Sequence, residues 1–174
     1  MKKPRRPPRP RPATRADLLA REKADWDELG ATWCKLPNAA LEQAGACGPG
    51  WSVKDVMNHV AAWQEAALRI IPELLAGRRA TLGHGTNRFN EIQQAQDRDR
   101  TLLASKRRLN RARRELLKLL DTVPDDVLLD PAGRVNWWVK FTTYAHYGEH
   151  IWELSEFARQ WTTKDEGRSV KRDA

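Results

Sequence analysis

Two histidines, His146 and His150, stand four residues apart in the stretch from Tyr144 to His150, Tyr-Ala-His-Tyr-Gly-Glu-His. On a helix that spacing is one turn, so both imidazoles share a face. Two rings so placed can ligate one transition metal, and a third, His59, lies in a separate stretch of helical periodicity. Three histidines from two helices leave a coordination position open, as catalytic centres do. Spacing alone reads more simply as a half-buried pair holding no metal. Convergence moves the reading toward a metal without displacing the simpler one: three of the chain's four histidines have apolar flanks, where an unpartnered polar ring is costly. Helix bundles also build metal sites from side chains that face inward.

The elements that must position these rings can be read in order. Thr14 with Asp17 resembles a capping box with Asp in the Glu/Gln place, opening a helix to about Lys35 with Leu19, Trp26 and Trp33 at heptad spacing. Pro37 to Gly50 reads as a loop with one short turn near Ala39 to Gln43. The second helix has a clear start, Ser52 as N-cap with Asp55 three residues on and Trp51 set to staple onto Val56, and Gly77 stops it. It carries His59, and Pro72 is expected to kink or break its last turns. A glycine-containing loop with His84 follows, then helix from Asn87 or Asn90, interrupted near Asp97 to Thr101. Leu102, Leu109 and Leu116 mark the third bundle helix. After a connector over 121–135, a fourth is expected from about Asn136 to Trp161, with both its histidines at the edge of the core-facing arc and Glu149 and Glu153 just outside. Four amphipathic helices without a strand pattern predict an all-α four-helix bundle, of up-down type with long loops.

The formal charge of +8 belongs mainly to the ends. Residues 1–13 are expected to be a disordered basic tail rich in Pro and Arg, 14–161 the bundle domain, and 162–174 a polar C-terminal tail. Residues 13–161 hold 21 basic and 20 acidic residues, and no nucleic-acid-reading motif is present, which argues against a nucleic-acid partner. The basic positions of the third helix (Lys106, Arg107, Arg108, Arg111, Arg113, Arg114 and Lys118) read as a solvated face. No apolar run approaches a membrane span and no signal sequence is present, so a cytoplasmic protein is expected. There Cys34 and Cys47 are most simply free thiols. A spare apolar stripe would allow a homodimer.

The stretch Trp51-Ser-Val-Lys-Asp-Val-Met-Asn-His59-Val-Ala-Ala-Trp63, followed after a long gap by His146-Tyr-Gly-Glu-His150, resembles the DinB/YfiT-like superfamily of metal-dependent four-helix bundles. Including Asn87-Arg-Phe-Asn90, the cadence is most similar to its ClbS/DfsB-like branch. The resemblance covers roughly residues 14–161 and implies the bundle fold, with His59, His146 and His150 as metal ligands. It also implies a small-molecule role. Members include transferases and isomerases that use mycothiol, bacillithiol or glutathione, while the ClbS type is a self-protection protein that opens a reactive cyclopropane.

With a divalent metal bound, zinc, nickel or iron in view of the imidazole donors, Glu149 or Glu153 would orient a ligand or serve as general base. Tyr144 or Tyr147 would donate a hydrogen bond to substrate. Trp63, Trp138 and Phe157 could wall an apolar pocket. The expected function is a metal-dependent hydrolase or thiol-dependent transferase for small electrophilic molecules, in detoxification or self-protection. The alternative is a metal-independent or non-catalytic protein that sequesters or opens a reactive metabolite.

Overall fold

The computed structural model describes residues 9–48 and 50–170, with side chains as far as residue 163. Eight helices appear among these residues: α1 (Arg15–Ala31), α2 (Asn38–Glu42), α3 (Val53–Leu75), α4 (Thr86–Asp97), α5 (Leu102–Thr122), α6 (Asp125–Leu129), α7 (Arg134–Thr142) and α8 (Tyr144–Val170). The long ones, α1, α3, α5 and α7 with α8, make the bundle; α3 is its central element and touches α2, α4, α5, α7 and α8.

Local chemistry accounts for the helix starts. Thr14 and Asp17, and Ser52 and Asp55, each form a reciprocal capping box that satisfies two otherwise orphaned donors. Thr101 caps α5 through the Ala104 amide. The end of α5 is held from outside its own segment: the Arg15 guanidinium donates to the carbonyls of Leu120 and Val123 and to Asp125, as a cation near a helix C-terminus should.

The apolar faces close over two adjoining clusters. One gathers Leu18, Trp63, Ile71, Leu116, Leu120 and Trp138; the other gathers Leu29, Val56, Val60, Leu109, Tyr147 and Leu154.

Several expectations need correcting. The first helix ends at Ala31 rather than near Lys35, with Thr32 as C-cap returning its hydroxyl to the Leu29 carbonyl. Pro72 does not break α3, which continues to Leu75 and thus takes the proline in its final turn. The expected fourth helix is two, because Thr143, at φ −123° and ψ −119°, leaves helical geometry. The Thr142 and Thr143 hydroxyls bond the carbonyls of Trp138 and Val139, the local competition by which buried threonines bend helices. α8 also runs through Val170, into the segment expected as a polar tail.

Most of the expected N-terminal tail lies outside the described residues. Its final part, residues 9–13, does not float free. Arg9 reaches the buried Asp25 at 2.6 Å, Arg11 donates to the Leu129 carbonyl, and Arg21 donates to the Pro10 carbonyl at 3.1 Å. A buried carboxylate needs a cation, and the tail supplies one.

The basic face of α5 also changes. Arg108 clamps Glu65 and Asp97, and Arg113 clamps Glu22 with two hydrogen bonds, so both are internal ion pairs. Arg114 and Lys118 pair with Glu115. No helix among the described residues is long and apolar enough to cross a membrane.

Candidate metal centre

The break at Thr143 starts α8 afresh, and its first two turns carry His146 and His150 inward. His59 meets them from the second turn of α3. Nε2 of His59 and Nε2 of His146 lie 2.8 Å apart, and the His59 and His150 ring centres are separated by 5.1 Å. One nitrogen from each ring falls within 4.8 Å of the other two. All three rings are at least nine-tenths buried.

Burial sets the charge of the site. Loss of hydration, and then proximity to His150, hold the His59 pKa down at about 3; the same causes, together with His59, push His146 well below its ordinary range. Neutral imidazole is the form that ligates. Nδ1 of His146 and Nε2 of His150 are buried and make no hydrogen bond among the described residues. Each such atom costs about 1–3 kcal/mol. Three gathered imidazoles, with His59 and His146 held neutral by burial, form a donor set that fits a divalent metal.

Aromatic rings enclose the triad. Trp51 meets His59 edge-on at 5.1 Å, Trp63 meets His146 edge-on at 6.2 Å, and Phe141 lies parallel to His146 at 6.1 Å. A small pocket of about 10 Å³ borders His59, lined also by Trp51, Asn58, Asn90 and Gln93. Asp55 and Gln94 line both this pocket and a wider, charged cavity of about 330 Å³ bordered by Glu42, Lys54, Glu91 and Arg98. A separate cavity of about 300 Å³ opens beyond Trp63, lined by Trp137, Trp138, His84 and Arg134.

The other expected site residues divide. Glu153 is near: its Oε2 lies 3.9 Å from Nδ1 of His150. Glu149 is exposed. Tyr147 is buried and its hydroxyl is engaged in the core. Its hydroxyl accepts from Gln64 at 2.7 Å and donates to Glu22 at 3.1 Å, and burial, followed by the Glu22 charge, pushes its pKa well above 10. Tyr144 lies beneath the Arg21 guanidinium at 4.5 Å. Its burial raises the phenol pKa, which keeps the hydroxyl protonated. Trp63 and Trp138 do line a cavity, whereas Phe157 belongs to the second core cluster.

Sequence reasoning missed Cys47. Its Sγ lies 3.7 Å from Nδ1 of His150 and donates to Glu153 Oε2 at 2.8 Å. The amides of Gly45, Ala46 and Cys47 converge on the Trp51 carbonyl, with Gly45 and Gly48 at positive φ, and this tight loop turns the thiol toward α8. The glycines flanking Cys47 were the available signal.

The sequence profile described as the mycothiol maleylpyruvate isomerase N-terminal domain matches residues 23–152. The chain belongs to that family. Its fold is the DinB/YfiT-like one, shared with structures of low sequence identity. An uncharacterised protein from Escherichia coli UTI89 superimposes with a TM-score of 0.76 at 16% identity, over 87% of this chain and 96% of that one. The colibactin self-resistance protein ClbS, solved in complex with double-stranded DNA, gives 0.71 at 16% identity over 85% and 97%. DfsB, described as a sibling lethal factor precursor, gives 0.69 at 13% identity over 88% and 98%. No curated protein matches the sequence.

Proposed function

We propose that this family member is a metal-dependent enzyme acting on small electrophilic molecules, as a hydrolase or as a transferase that uses a low-molecular-weight thiol. The observation that carries this reading is the convergence of His59, His146 and His150, three buried imidazoles from two helices, with a nitrogen of His146 and one of His150 unpartnered among the described residues. They would hold zinc, nickel or iron. Bound there, the ion would supply Lewis acidity, lowering the pKa of a thiol or water and polarising an electrophile.

The protein's own contributions are positional. The imidazoles bring no charge, so the positive charge of the centre stays available to an anionic nucleophile. Trp51, Trp63 and Phe141 keep bulk water from the rings, which strengthens electrostatic interactions within. Glu153 stands where it can orient His150 or take a proton from an incoming thiol. The charged cavity that shares Asp55 and Gln94 with the small pocket beside His59 has complementary groups for a polar thiol, Lys54 and Arg98 for carboxylates, Glu42 and Glu91 for an ammonium.

The test is elemental analysis of untagged protein beside the triple variant with Ala at 59, 146 and 150. About one equivalent of metal in the natural chain and none in a folded variant supports the reading. Metal-free natural protein that also refuses added zinc and nickel would overturn it.

A second reading draws on the tryptophan-lined cavity beyond Trp63 and on the fold shared with ClbS. In it the protein sequesters or opens a reactive metabolite without metal. Equal protection of cells by the natural chain and the triple variant under electrophile challenge would favour it.

A further inference from the structure

Beside the triad lies a second group of donors with a different chemistry. Sγ of Cys47, Nδ1 of His150 and a carboxylate oxygen of Glu153 come together from the loop before α3 and from two successive turns of α8. Their separations are 2.8 Å from sulfur to oxygen, 3.7 Å from sulfur to nitrogen and 3.9 Å from nitrogen to oxygen. Zinc takes thiolate at about 2.3 Å and nitrogen or oxygen at about 2.0–2.2 Å, which sets tetrahedral donors about 3.3–3.6 Å apart. The two distances to His150 exceed that range by only a few tenths of an ångström. The short one is the contact in which the thiol proton now lies, and it lengthens when a cation replaces that proton. Glu153 has room to withdraw, since its side chain is 32% exposed.

We infer that Cys47, His150 and Glu153 form a cation site of their own, selective for a zinc-like divalent ion and sharing His150 with the triad. The charges support the assignment. A thiolate and a carboxylate neutralise a doubly charged ion, whereas the triad offers only neutral rings. Thiolate with imidazole is also the pairing that favours zinc over magnesium or calcium. On binding, the Cys47 S–H bond breaks, the proton leaves to solvent, and a sulfur–metal bond forms.

Sharing His150 has a consequence. An ion held on Nδ1 requires the ring's remaining proton on Nε2, the nitrogen that has no hydrogen-bond partner. A ring so protonated cannot give Nε2 to a second ion, so the two sites compete for one imidazole. The new site does not depend on whether the triad takes a metal.

Cobalt(II) is the probe, because a cobalt–thiolate bond produces charge-transfer absorption in the near ultraviolet that nitrogen and oxygen ligands do not. The full-length chain is prepared metal-free as the Cys34→Ser, His59→Ala, His146→Ala variant, which leaves Cys47 the only thiol and removes the triad. The expected result is a charge-transfer band that saturates near one equivalent, disappears on zinc addition, and is lost when Cys47→Ser is added. Glu153→Gln should weaken cobalt binding while keeping the band. A folded triad-less variant without the band at any cobalt concentration overturns the proposal, as does a band that survives Cys47→Ser. Should that background fail to fold, Cys34→Ser with His59→Ala alone carries the same test and leaves α8 intact. Failure of the triad reading would look different: equal metal content in the natural chain and the His59→Ala variant.

Discussion

His59 and His146 are 87 residues apart in sequence, yet their Nε2 atoms lie 2.8 Å apart. Two neutral imidazoles at that distance can share one proton, but two protonated rings would repel across a dry gap. On the reading proposed above, a cation other than hydrogen would take that place.

A metal that binds only the native state stabilises it by mass action, about 2.7 kcal/mol at a hundred times its Kd. Zinc should raise the melting temperature of metal-free protein by several degrees and leave the Cys47→Ser, His146→Ala double variant, which lacks both donor groups, unmoved. Equal shifts in both would place the effect elsewhere.

The metal-free protein should lose stability in mild acid. Above pH 6.5 His59 is neutral in both folded and unfolded chains, so nothing changes. Below it the unfolded chain binds a proton that the native ring, with its pKa near 3, refuses. The native state accordingly loses about 2 kcal/mol at pH 5 from this group alone, and the loss grows until about pH 3. His146 acts in the same direction. Urea midpoints from pH 7.5 to 5 measure this, and His59→Gln should flatten the slope.

Tyr147→Phe tests whether that tyrosine is structural. Removing the hydroxyl between Gln64 and Glu22 leaves buried partners short of a hydrogen bond, at a cost of about 1–3 kcal/mol. Metal content should not change. A loss of bound metal without a loss of stability would return Tyr147 to the site.

Arg113→Ala removes the bidentate partner of Glu22, whose side chain is 1% exposed. Breaking a buried pair from one side costs about 3–5 kcal/mol, and here the Arg113 stack on Trp26 goes with it. Chemical denaturation should show one of the largest destabilisations on α5. The paired variant Arg113→Met with Glu22→Leu should recover much of it.

With Arg108 and Arg113 committed inside, the outer face of α5 is less basic than its sequence suggests. Duplex DNA should be retained weakly, and not at about 0.15 M salt. Tight binding there, with a steep salt slope, would bring this chain into line with the DNA complex of ClbS.

The parts of the fold governed by neighbours in sequence were legible. Thr14 with Asp17 and Ser52 with Asp55 announce their helices because a capping box closes within three residues, and the Leu102, Leu109, Leu116 repeat announces α5 because periodicity is local. The break at Thr143 was not, since two threonines become a hinge only once burial leaves their hydroxyls nothing but the preceding turn. Arg113 looked like a surface charge because its partner, Glu22, lies 91 residues away. In the site, the histidine positions could be read from helix spacing. Cys47 could not, because its direction is set by a loop whose amides fold onto the Trp51 carbonyl.

The interruption at Thr143 also separates two kinds of length change. A residue added within α7 turns everything up to the break, and the non-helical joint can take up the mismatch. A residue added between Tyr144 and His146 has no such joint and rotates both histidines by about 100° away from His59. Chains of this architecture should thus tolerate insertions before the joint and exclude them after it, which makes Thr143 the point from which the phase of the histidine-bearing helix is counted.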